Sequence, residues 1–198
     1  MKLNLTISIP NWLDRICIWP VLWYRKRKLG QPYRKIRLTE GKCAIVDPDV
    51  FYNLNNFQWC AAGRDQSFYA VRFLNNCNKG IRLISMHREL MNFPVGLFVD
   101  HHNGDSLDNR ITNLRLATRS QNLCNRRKTS SKTSSRFRGV TFRKNVGKWA
   151  ARIRYLGKEI WLGLFDSEID AAKAYDAAAR KYHGEFARLN FSEAATPS

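Results

Sequence analysis

The sequence predicts an α+β protein made of two unlike strand-and-helix units that are joined by a polar linker. In the first unit, near residues 96–125, a short apolar run, a polar loop, a second short run and a helix follow one another. In the second unit, three strand candidates precede a helix rich in alanine, over residues 136–182. Between the units, residues 126–135 are serine, threonine and basic residues, so this stretch has no apolar side chain with which to join a core.

Composition restricts the classes of function. The 198 residues carry a formal net charge of +18 and the sequence pI is about 10.2, which indicates a nucleic-acid partner more than an anionic membrane surface. The hydrophobic content of 44% indicates a folded chain. The five cysteines are widely spaced and form no C-x-x-C pair, so they support neither a zinc ribbon nor a disulfide framework. We therefore expect free, mostly buried thiols in a reducing compartment.

The N-terminal segment, residues 1–34, is first apolar and then basic. Its cleanest apolar run, residues 16–24, is far shorter than the ~20 residues of a bilayer span, and basic residues follow it, unlike in a signal peptide. We expect no membrane span and a cytoplasmic, DNA-associated protein that is not secreted. A short helix packed on the body is favoured over an interfacial or partner-binding segment. Residues 25–37 contain seven basic residues and no acidic one, which favours an arm contacting phosphate over a solvated face.

Residues 35–86 are predicted to form a small β-rich region. The strand candidates are residues 42–46, 57–61 and 68–74, the last of which alternates. Asp47 and Pro48 are predicted to begin a helix that runs through Leu54, with Asp47 as its cap. Residues 85–92 are predicted to form a helix that leads into the next unit.

The polar residues around residues 100–125 follow an ordered pattern. It reads D-H-H-N-G at 100–104, D-N-R-I-T-N-L-R at 108–115 and T-R-S-Q-N-L-C-N at 118–125. Asn103-Gly104 tolerates positive φ and predicts a tight turn. Thr118 or Ser120 can cap the helix that ends the unit.

This pattern, placed in a unit of residues 87–127, resembles the HNH endonuclease family and its ββα-metal fold. The resemblance implies that His101 is the general base and that Asn113 holds its imidazole in one orientation. It also implies that Asp100 and Asn122 hold a divalent cation, Mg²⁺ or another such as Mn²⁺. These residue types suit phosphodiester hydrolysis, because a sparse oxygen site suits Mg²⁺ and a neutral imidazole suits a base near pH 7.

Two points stay open in this unit. Strict strand alternation places Asp100 and His102 on one face and His101 on the other, so whether His102 assists catalysis is undecided. The simpler alternative is a polar loop whose histidines only complete hydrogen bonds.

A linker at residues 128–135 leads to a C-terminal domain at residues 136–192. Its strand candidates are residues 136–142, 148–154 and 159–165. Ser167 is predicted to cap a helix through Tyr182, with Asp170 completing a capping box. A three-stranded antiparallel sheet packed on one helix follows, and the linker predicts that the two modules fold and act separately.

The C-terminal domain resembles the plant APETALA/ethylene-response-factor type of DNA-binding domain. The resemblance rests on F-R-G-V, G-K-W-A-A-x-I-R, W-L-G-x-F, A-A-x-A-Y-D-x-A-A and L-N-F. It implies a sheet in the major groove that contacts DNA through Arg138, Arg143, Arg154 and Trp161. The basic strand residues add Lys148 and Arg152, since a basic exposed sheet suits phosphates and guanine edges. Thr141, Asn145, Arg152 and Glu159 depart from the plant pattern, so the plant target sequence is not carried over.

The two resemblances together predict a metal-dependent DNA endonuclease of the homing-endonuclease kind, targeted by its C-terminal domain. The alternative is a non-enzymatic DNA-binding transcriptional regulator in which the HNH unit is only a scaffold. The expected partner is double-stranded DNA, without a small-molecule cofactor. The oligomeric state stays open.

Overall fold

A computed structural model describes residues 10–64, 67–76, 80–125 and 134–191. The fold is mixed α+β with several antiparallel sheets. The chain forms two compact units, of which the first comprises residues 1–94 and 105–115 and the second comprises residues 95–104 and 116–198. The loop at 105–115 therefore belongs to the first unit, while both flanking parts of the HNH-like pattern belong to the second.

The described residues form six α-helices and ten strands. The helices are α1 Asn11–Cys17, α2 Trp19–Leu29, α3 Phe51–Asn55, α4 Met86–Leu90, α5 Arg119–Asn125 and α6 Glu168–His183. The strands are β1 Arg34–Arg37, β2 Cys43–Val46, β3 Cys60–Arg64, β4 Ser67–Asn76, β5 Gly80–Ser85, β6 Phe98–His101, β7 Leu114–Ala117, β8 Val140–Arg143, β9 Lys148–Tyr155 and β10 Lys158–Phe165. Short 3₁₀ turns lie at Thr39–Gly41, Ile111–Asn113 and Gly184–Phe186.

The first unit is β-rich, as expected, and contains two antiparallel sheets. One pairs β1 with β2, and the other has the order β3-β4-β5. Neither β1 nor β5 was predicted, and the strand expected at 57–61 lies at Cys60–Arg64. Apolar side chains from β1, β2, α3, β4 and α4 share one core that includes Ile36, Val46 and Met86.

Arg34 is part of the structure of the first unit, which corrects the expectation that residues 25–37 are uniformly a phosphate-contacting arm. The residue is 8% exposed. Its Nη2 donates to Asp14 Oδ2 at 2.8 Å, and its guanidinium lies 3.7 Å from the centre of the Phe51 ring. A paired, buried guanidinium is not available to DNA.

The carboxylate of Asp14 links helix α1 to β1 and α3 of the first unit. Its Oδ2 accepts hydrogen bonds from Arg34 and from Tyr52 Oη, both at 2.8 Å. Burial acts to raise the pKa of Asp14, but these hydrogen bonds outweigh it and hold the pKa below its usual value. Large side chains such as Trp12 and Trp19 stay about two-thirds exposed, so the two helices are not the fully packed segment that we expected. None of the helices in the described ranges is long and apolar enough to cross a membrane.

The loop at 105–115 is fastened to strand β2. Ile45 N donates to Leu107 O at 2.8 Å, and Asn109 N donates to Ile45 O at 2.7 Å. Asp47 Oδ2 accepts from Ile111 N at 2.7 Å. The prediction that Asp47 caps a helix beginning at Pro48 is therefore wrong. Its carboxylate binds this loop instead, and α3 begins at Phe51.

The strand, loop, strand and helix order predicted for the HNH-like unit is present as β6, the loop, β7 and α5. Strands β6 and β7 form a two-stranded sheet. Of the two caps considered for α5, the structure has Thr118: its Oγ1 accepts from Gln121 N at 3.3 Å, and Gln121 Oε1 accepts from Thr118 N at 2.8 Å. This reciprocal pair is a capping box.

The C-terminal part of the second unit is a three-stranded antiparallel sheet of order β10-β9-β8 with α6 packed on one face. Ser167 caps α6 as predicted, because its Oγ accepts from Ile169 N at 3.2 Å. The bond goes to Ile169 and not to Asp170, which the predicted capping box required. Ser135 belongs to this domain, not to the linker, because it is 4% exposed and donates to Glu168 at 2.7 Å. The rest of the expected linker, residues 126–133, lies outside the described residues, whereas Ser134 Oγ accepts from Phe142 N at 2.8 Å.

A buried carboxylate holds the C-terminal segment on α6. Asp176 is 3% exposed, and its two oxygens accept from Asn190 N at 2.8 and 3.0 Å and from Phe191 N at 2.9 Å. Asn190 then brackets the backbone of Arg138, since its Oδ1 accepts from Arg138 N at 2.7 Å and its Nδ2 donates to Arg138 O at 3.2 Å. The closing L-N-F is thereby tied to the start of the domain.

The four described cysteines are free thiols. Cys17 is exposed, whereas Cys43, Cys60 and Cys124 are half-buried. The expectation of mostly buried thiols is therefore wrong for these four, and Cys77 lies outside the described residues.

Asp176→Ala should lower the free energy of unfolding by about 2–4 kcal/mol, because it leaves buried N–H groups of two residues without their acceptor. Lys173→Ala, an exposed position on the same helix, should change it by less than about 0.5 kcal/mol. Urea unfolding followed by circular dichroism measures both. Equal, small losses for the two variants would contradict the role given to Asp176.

Candidate functional site

Asp100 and His101 end strand β6 and are both nearly buried, at 6% and 5% exposed. Helix α5 packs against β6 and brings Asn125 to them. Asn125 Nδ2 lies 3.1 and 3.0 Å from the two Asp100 carboxylate oxygens and donates to the His101 carbonyl at 2.8 Å. One amide group thus fixes both the carboxylate and the backbone of its neighbour.

Sequence reasoning gave no role to Asn125, although it ends the T-x-x-x-N-x-x-N pattern. Asn122, the predicted metal ligand, is half-buried and lies three residues earlier on α5. Side chains at i and i+3 are neighbours on a helix, so Asn122 shares a helix face with the residue that contacts Asp100. The signal that could have identified Asn125 was this spacing.

Asn113 lies in the first unit, whereas Asp100, His101 and Asn122 lie in the second. It is 7% exposed, and its Nδ2 donates to Asp108 O at 2.7 Å. This bond closes the loop on itself. The role of orienting the base stays a prediction.

The D-N-R part of the motif has a structural role in the first unit. Arg110 Nε and Nη2 donate to the two Asp108 oxygens at 2.8 and 2.6 Å. The hydrogen bonds that Arg110 donates to this buried carboxylate raise the pKa of Arg110 above its usual value. Asn109 is fully buried, and its Nδ2 donates to Leu107 O at 3.2 Å. Motif residues therefore divide into those that build the loop and those at the end of β6.

The side chains at the end of β6 provide few ligands for a metal ion. The described residues contain no group of three His, Cys, Asp or Glu side chains that could hold a metal ion. Asp100 supplies one carboxylate, whose two oxygens both contact the Asn125 amide. Mg²⁺ keeps several waters and needs only one or two carboxylates when a phosphate completes its shell, so the residues present fit such an ion.

The second candidate surface is the face of the C-terminal sheet opposite α6. Ala151 and Ile153 of β9 pack in the cores beneath α6, so the alternate residues Arg152 and Arg154 lie on the other face. Cross-strand partners share a face. The register pairs Arg143 with Lys148, Trp161 with Arg152 and Glu159 with Arg154.

Five of the six predicted DNA-contacting residues therefore lie on one open sheet face. Trp161 is 52% exposed. Two of the basic residues form ion pairs there, Lys148 with Asp166 and Arg152 with Glu159, both at 3.1 Å. Ion pairs this exposed contribute little to stability, so a phosphate can replace the carboxylate partner.

Arg138 lies outside this face, which corrects its placement on a strand. Strand β8 begins at Val140, and Arg138 occupies the preceding turn. Its Nη1 donates to the Cys124 carbonyl near the end of α5, and its guanidinium also hydrogen-bonds Tyr175. Burial raises the pKa values of Cys124 and Tyr175 despite the charge of Arg138. The direct contact of Arg138 with DNA stays untested, while its observed contacts are internal.

Gly139, which follows Arg138, allows this turn to pack closely against α6 and β9. Gly139 has φ of +73°, and a Cβ there would collide with the Tyr175 ring and would lie 2.6 Å from the Arg152 carbonyl. Arg152 N donates to Gly139 O at 2.9 Å. The backbone of the F-R-G-V motif therefore lies between α6 and β9.

Two family models match parts of the chain. One, described as AP2 domain, matches residues 135–185, which span the sheet β8–β10 and helix α6. The C-terminal region is an AP2 domain. The other, described as HNH endonuclease, matches residues 92–124, which include Asp100, His101, Asn113 and Asn122.

Several plant proteins are similar to this chain over less than a third of its length. APETALA2-like protein 2 of Oryza sativa is 54% identical over 63 residues, 31% of this chain and 14% of that protein. Ethylene-responsive transcription factor 3 of Nicotiana tabacum is 53% identical over 58 residues, 28% of this chain and 25% of that protein. Dehydration-responsive element-binding protein 2D of Arabidopsis thaliana is 48% identical over 62 residues, 30% of each chain. The match thus spans less than a third of each of these relatives.

Arg138→Ala should lower the free energy of unfolding by about 1.5–3 kcal/mol, because a charged donor is removed from the buried Tyr175 and the half-buried Cys124. Arg154→Ala, an exposed arginine of the same domain, should change it by about 0.5 kcal/mol or less. Thermal or urea unfolding compares the two. An Arg138→Ala protein as stable as the Arg154→Ala protein would show that the internal contacts of Arg138 contribute nothing.

Proposed function

We propose that this protein binds double-stranded DNA through the open face of its AP2 sheet, with Arg143, Arg152 and Arg154 as principal contacts. The observation that carries the proposal is the convergence of four cationic side chains and one exposed tryptophan on that face. One relative is named as an ethylene-responsive transcription factor, and the net charge of +18 favours a DNA partner for this chain too. The proposed function predicts that the protein is associated with DNA in the cell.

The chemistry of the face suits both parts of DNA recognition. Guanidinium groups bind phosphates and the O6 and N7 edge of guanine with two parallel hydrogen bonds. Lys148, next to Arg143 across the strands, is a point charge suited to phosphate. Glu159 would repel a phosphate, but its carboxylate is paired with Arg152, which offsets part of its negative charge. Trp161 offers an apolar surface to a thymine methyl group or a sugar.

DNA binding by the full chain should weaken steeply with salt, since each phosphate contact releases counterions. Arg143→Ala should reduce the slope of log K against log salt by about 0.9 if Arg143 contacts one phosphate. Arg180→Ala on α6, exposed on the opposite side of the domain, is the matched control and should leave the slope unchanged. Fluorescence anisotropy with a labelled duplex measures both. Equal slopes for the wild type and Arg143→Ala, with the fold retained, would remove Arg143 from the interface.

The role of the HNH unit separates two candidate functions. In the first, the unit is a scaffold and the protein is a DNA-binding regulator. The relatives support this interpretation better than a nuclease, because they include a named transcription factor, ethylene-responsive transcription factor 3. In the second, the unit is a metal-dependent endonuclease. The match of residues 92–124 to the HNH endonuclease family and the arrangement at the end of β6 favour this candidate.

In the endonuclease candidate, His101 accepts a proton from the water that attacks the phosphorus atom, and the bond to the leaving sugar oxygen breaks. Asp100 and Asn122 would hold Mg²⁺ or Mn²⁺, which supplies charge for the phosphate oxygens. Asn125 keeps the Asp100 carboxylate in place, so its reorganisation cost at the reaction is small. Asn113 would orient the imidazole.

Cleavage separates the two candidates directly. The nuclease candidate predicts that the wild type relaxes or linearises supercoiled plasmid when Mg²⁺ is added and not in excess chelator. Asp100→Ala should abolish cleavage and leave duplex binding unchanged, since binding rests on the AP2 sheet. His101→Ala should lower the rate by ~10²–10⁴, the usual contribution of a general base, and His102→Ala should lower it less.

The outcomes assign the function in each case. A wild type that binds duplex and never cuts plasmid with Mg²⁺ or Mn²⁺ is the DNA-binding regulator. Cleavage that survives Asp100→Ala would place the nuclease site elsewhere. A larger loss for His102→Ala than for His101→Ala would show that His102 is the base.

A further inference from the structure

The turn between β9 and β10 places a leucine in a backbone conformation that leucine rarely adopts. The register pairs Tyr155 with Lys158, so Leu156 and Gly157 are the two central residues of the turn. Their φ values are +48° and +78°. Positive φ at both central positions is typical of the type I′ hairpin turn, in which asparagine followed by glycine is preferred. Leucine at the first position is strained, because its Cβ approaches the following carbonyl oxygen.

This strain occurs at a single position of the C-terminal domain. Within the described range 134–191, the other residues with positive φ are glycines. The turn between β8 and β9 has the common solution, since its positive-φ residue is Gly147. Strained conformations that the surrounding structure maintains occur at functional sites more than elsewhere. Leu156 is therefore a candidate for a functional residue.

Packing within the domain does not explain the leucine. Leu156 is 73% exposed, so its side chain contributes little to either core beneath α6. A single exposed leucine is common on protein surfaces, but this leucine is both exposed and strained. Neither burial nor backbone preference explains a leucine at this position, whereas contact with a binding partner explains it.

The end of this hairpin is fixed by the C-terminal end of α6. The ring of Tyr155 packs on that of Tyr182, with ring centres 5.2 Å apart, and lies 6.4 Å from the ring of His183. The Nε2 atom of His183 lies 3.0 Å from Arg154 O. The last residues of β9 are therefore held from the helix side of the sheet. Leu156 extends from a rigid support, so that little backbone freedom is lost when it binds.

The position of the turn indicates that the partner is DNA. Strands β9 and β10 carry the open basic face, and the turn continues that face. Strand residues rise about 3.4 Å each, so Leu156 lies about 7 Å beyond Arg154. Arg154 and Lys158 on either side of the turn are exposed cations. The nearby carboxylate of Glu159 is paired with Arg152 at 3.1 Å. A duplex bound to the sheet face would therefore meet the turn next.

We propose that Leu156 contacts duplex DNA and that its strained turn directs an apolar side chain to the sugar carbons or to a thymine methyl group. Apolar side chains are suited to thymine methyl groups in the major groove. The inference rests on the proposed DNA binding of the sheet face and adds an uncharged contact at the end of that face. Such a contact contributes affinity without releasing counterions, unlike the contacts of the arginines. Asparagine would suit the turn better, but it lacks the apolar surface.

The test compares duplex binding of full-chain variants over a series of salt concentrations by fluorescence anisotropy. Leu156→Ala and Leu156→Asn should each weaken binding roughly tenfold, the effect of exposing about two buried methylene groups. The slope of log K against log salt should stay that of the wild type. Leu156→Met should keep most of the affinity, because it retains the apolar bulk. The matched control is Ile169→Ala, which removes a 46% exposed apolar side chain from α6 and should bind like the wild type.

Thermal unfolding separates this role from a structural one. Leu156→Asn should raise Tm by about 2–4 °C, because asparagine tolerates positive φ better than leucine. Leu156→Ala keeps a Cβ at positive φ and should not raise Tm. An asparagine variant that is more stable and yet binds DNA more weakly cannot owe its weaker binding to a damaged fold.

Three results would overturn the inference. The first is wild-type affinity in folded Leu156→Ala and Leu156→Asn proteins. The second is a loss of affinity that comes with a reduced salt slope, because the contact would then be electrostatic. The third is a Leu156→Asn protein that is less stable than the wild type, because the turn would then hold no strain for binding to explain.

A second duplex distinguishes the two apolar groups of DNA. Deoxyuridine in place of thymidine removes the methyl groups and leaves the sugars. If the wild type loses affinity for this duplex and Leu156→Ala does not, the contact is a thymine methyl group. If both proteins respond equally to the replacement, while Leu156→Ala stays the weaker binder, the contact is with the sugars.

Failure of the proposed function looks different from failure of this inference. A wild type that does not bind duplex at low salt removes the proposed function before any variant is compared. Binding that Arg143→Ala weakens and the Leu156 variants leave unchanged would retain the sheet interface and remove only the leucine contact.

Discussion

The buried carboxylate of Asp176 begins a series of contacts in the second unit that leads to Asp100. It accepts hydrogen bonds from the backbone of Asn190 and Phe191 and so fixes the side-chain amide of Asn190 on the backbone of Arg138. Arg138 in turn reaches the last turn of α5 at Cys124. The next residue, Asn125, holds Asp100. A chain of hydrogen bonds thus runs from the AP2 helix to the candidate nuclease carboxylate.

This chain of contacts changes the expected relation between the modules. A linker without apolar residues predicted two domains that act separately, but α5 and the C-terminal domain belong to one compact unit. A helix as short as α5 is not stable alone in water, so its packing must come from its neighbours. The loop at 105–115 is instead fixed by β2 of the first unit. The residues of the HNH-like pattern are therefore divided between the two units, and the HNH unit at 87–127 as a separate domain stays a prediction.

The sequence predicted the features that leave a periodic or local signal. The strand candidates at 148–154 and 159–165 located β9 and β10, and Thr118 was one of the two caps considered for α5. The features it missed depend on residues far apart in the chain. Asn190 and Arg138 are separated by 52 positions, and no period in the sequence reports that an amide will bracket a distant backbone. Arg138 was therefore predicted from the family resemblance as a DNA contact, while the structure gives it internal partners.

The same limit applies to the candidate site. Asp100 and His101 could be singled out from the order of motif residues, and the structure adds Asn125, which is defined by its tertiary contacts with Asp100 and His101. Asp47, by contrast, was predicted from its neighbour Pro48 as a helix cap, and a partner 64 positions away occupies its carboxylate. Local patterns suggest a residue's chemistry, while tertiary hydrogen bonds decide which group it serves.

Amide hydrogen exchange of the full chain tests the central claim, that α5 and the AP2 domain form one unit held by the Asp176 network. The account predicts that the amides of Arg119–Asn125 that are hydrogen-bonded in the helix are protected and open with a free energy close to that of α6. Exchange of those amides at the rate of an unstructured peptide, while α6 stays protected, would contradict it.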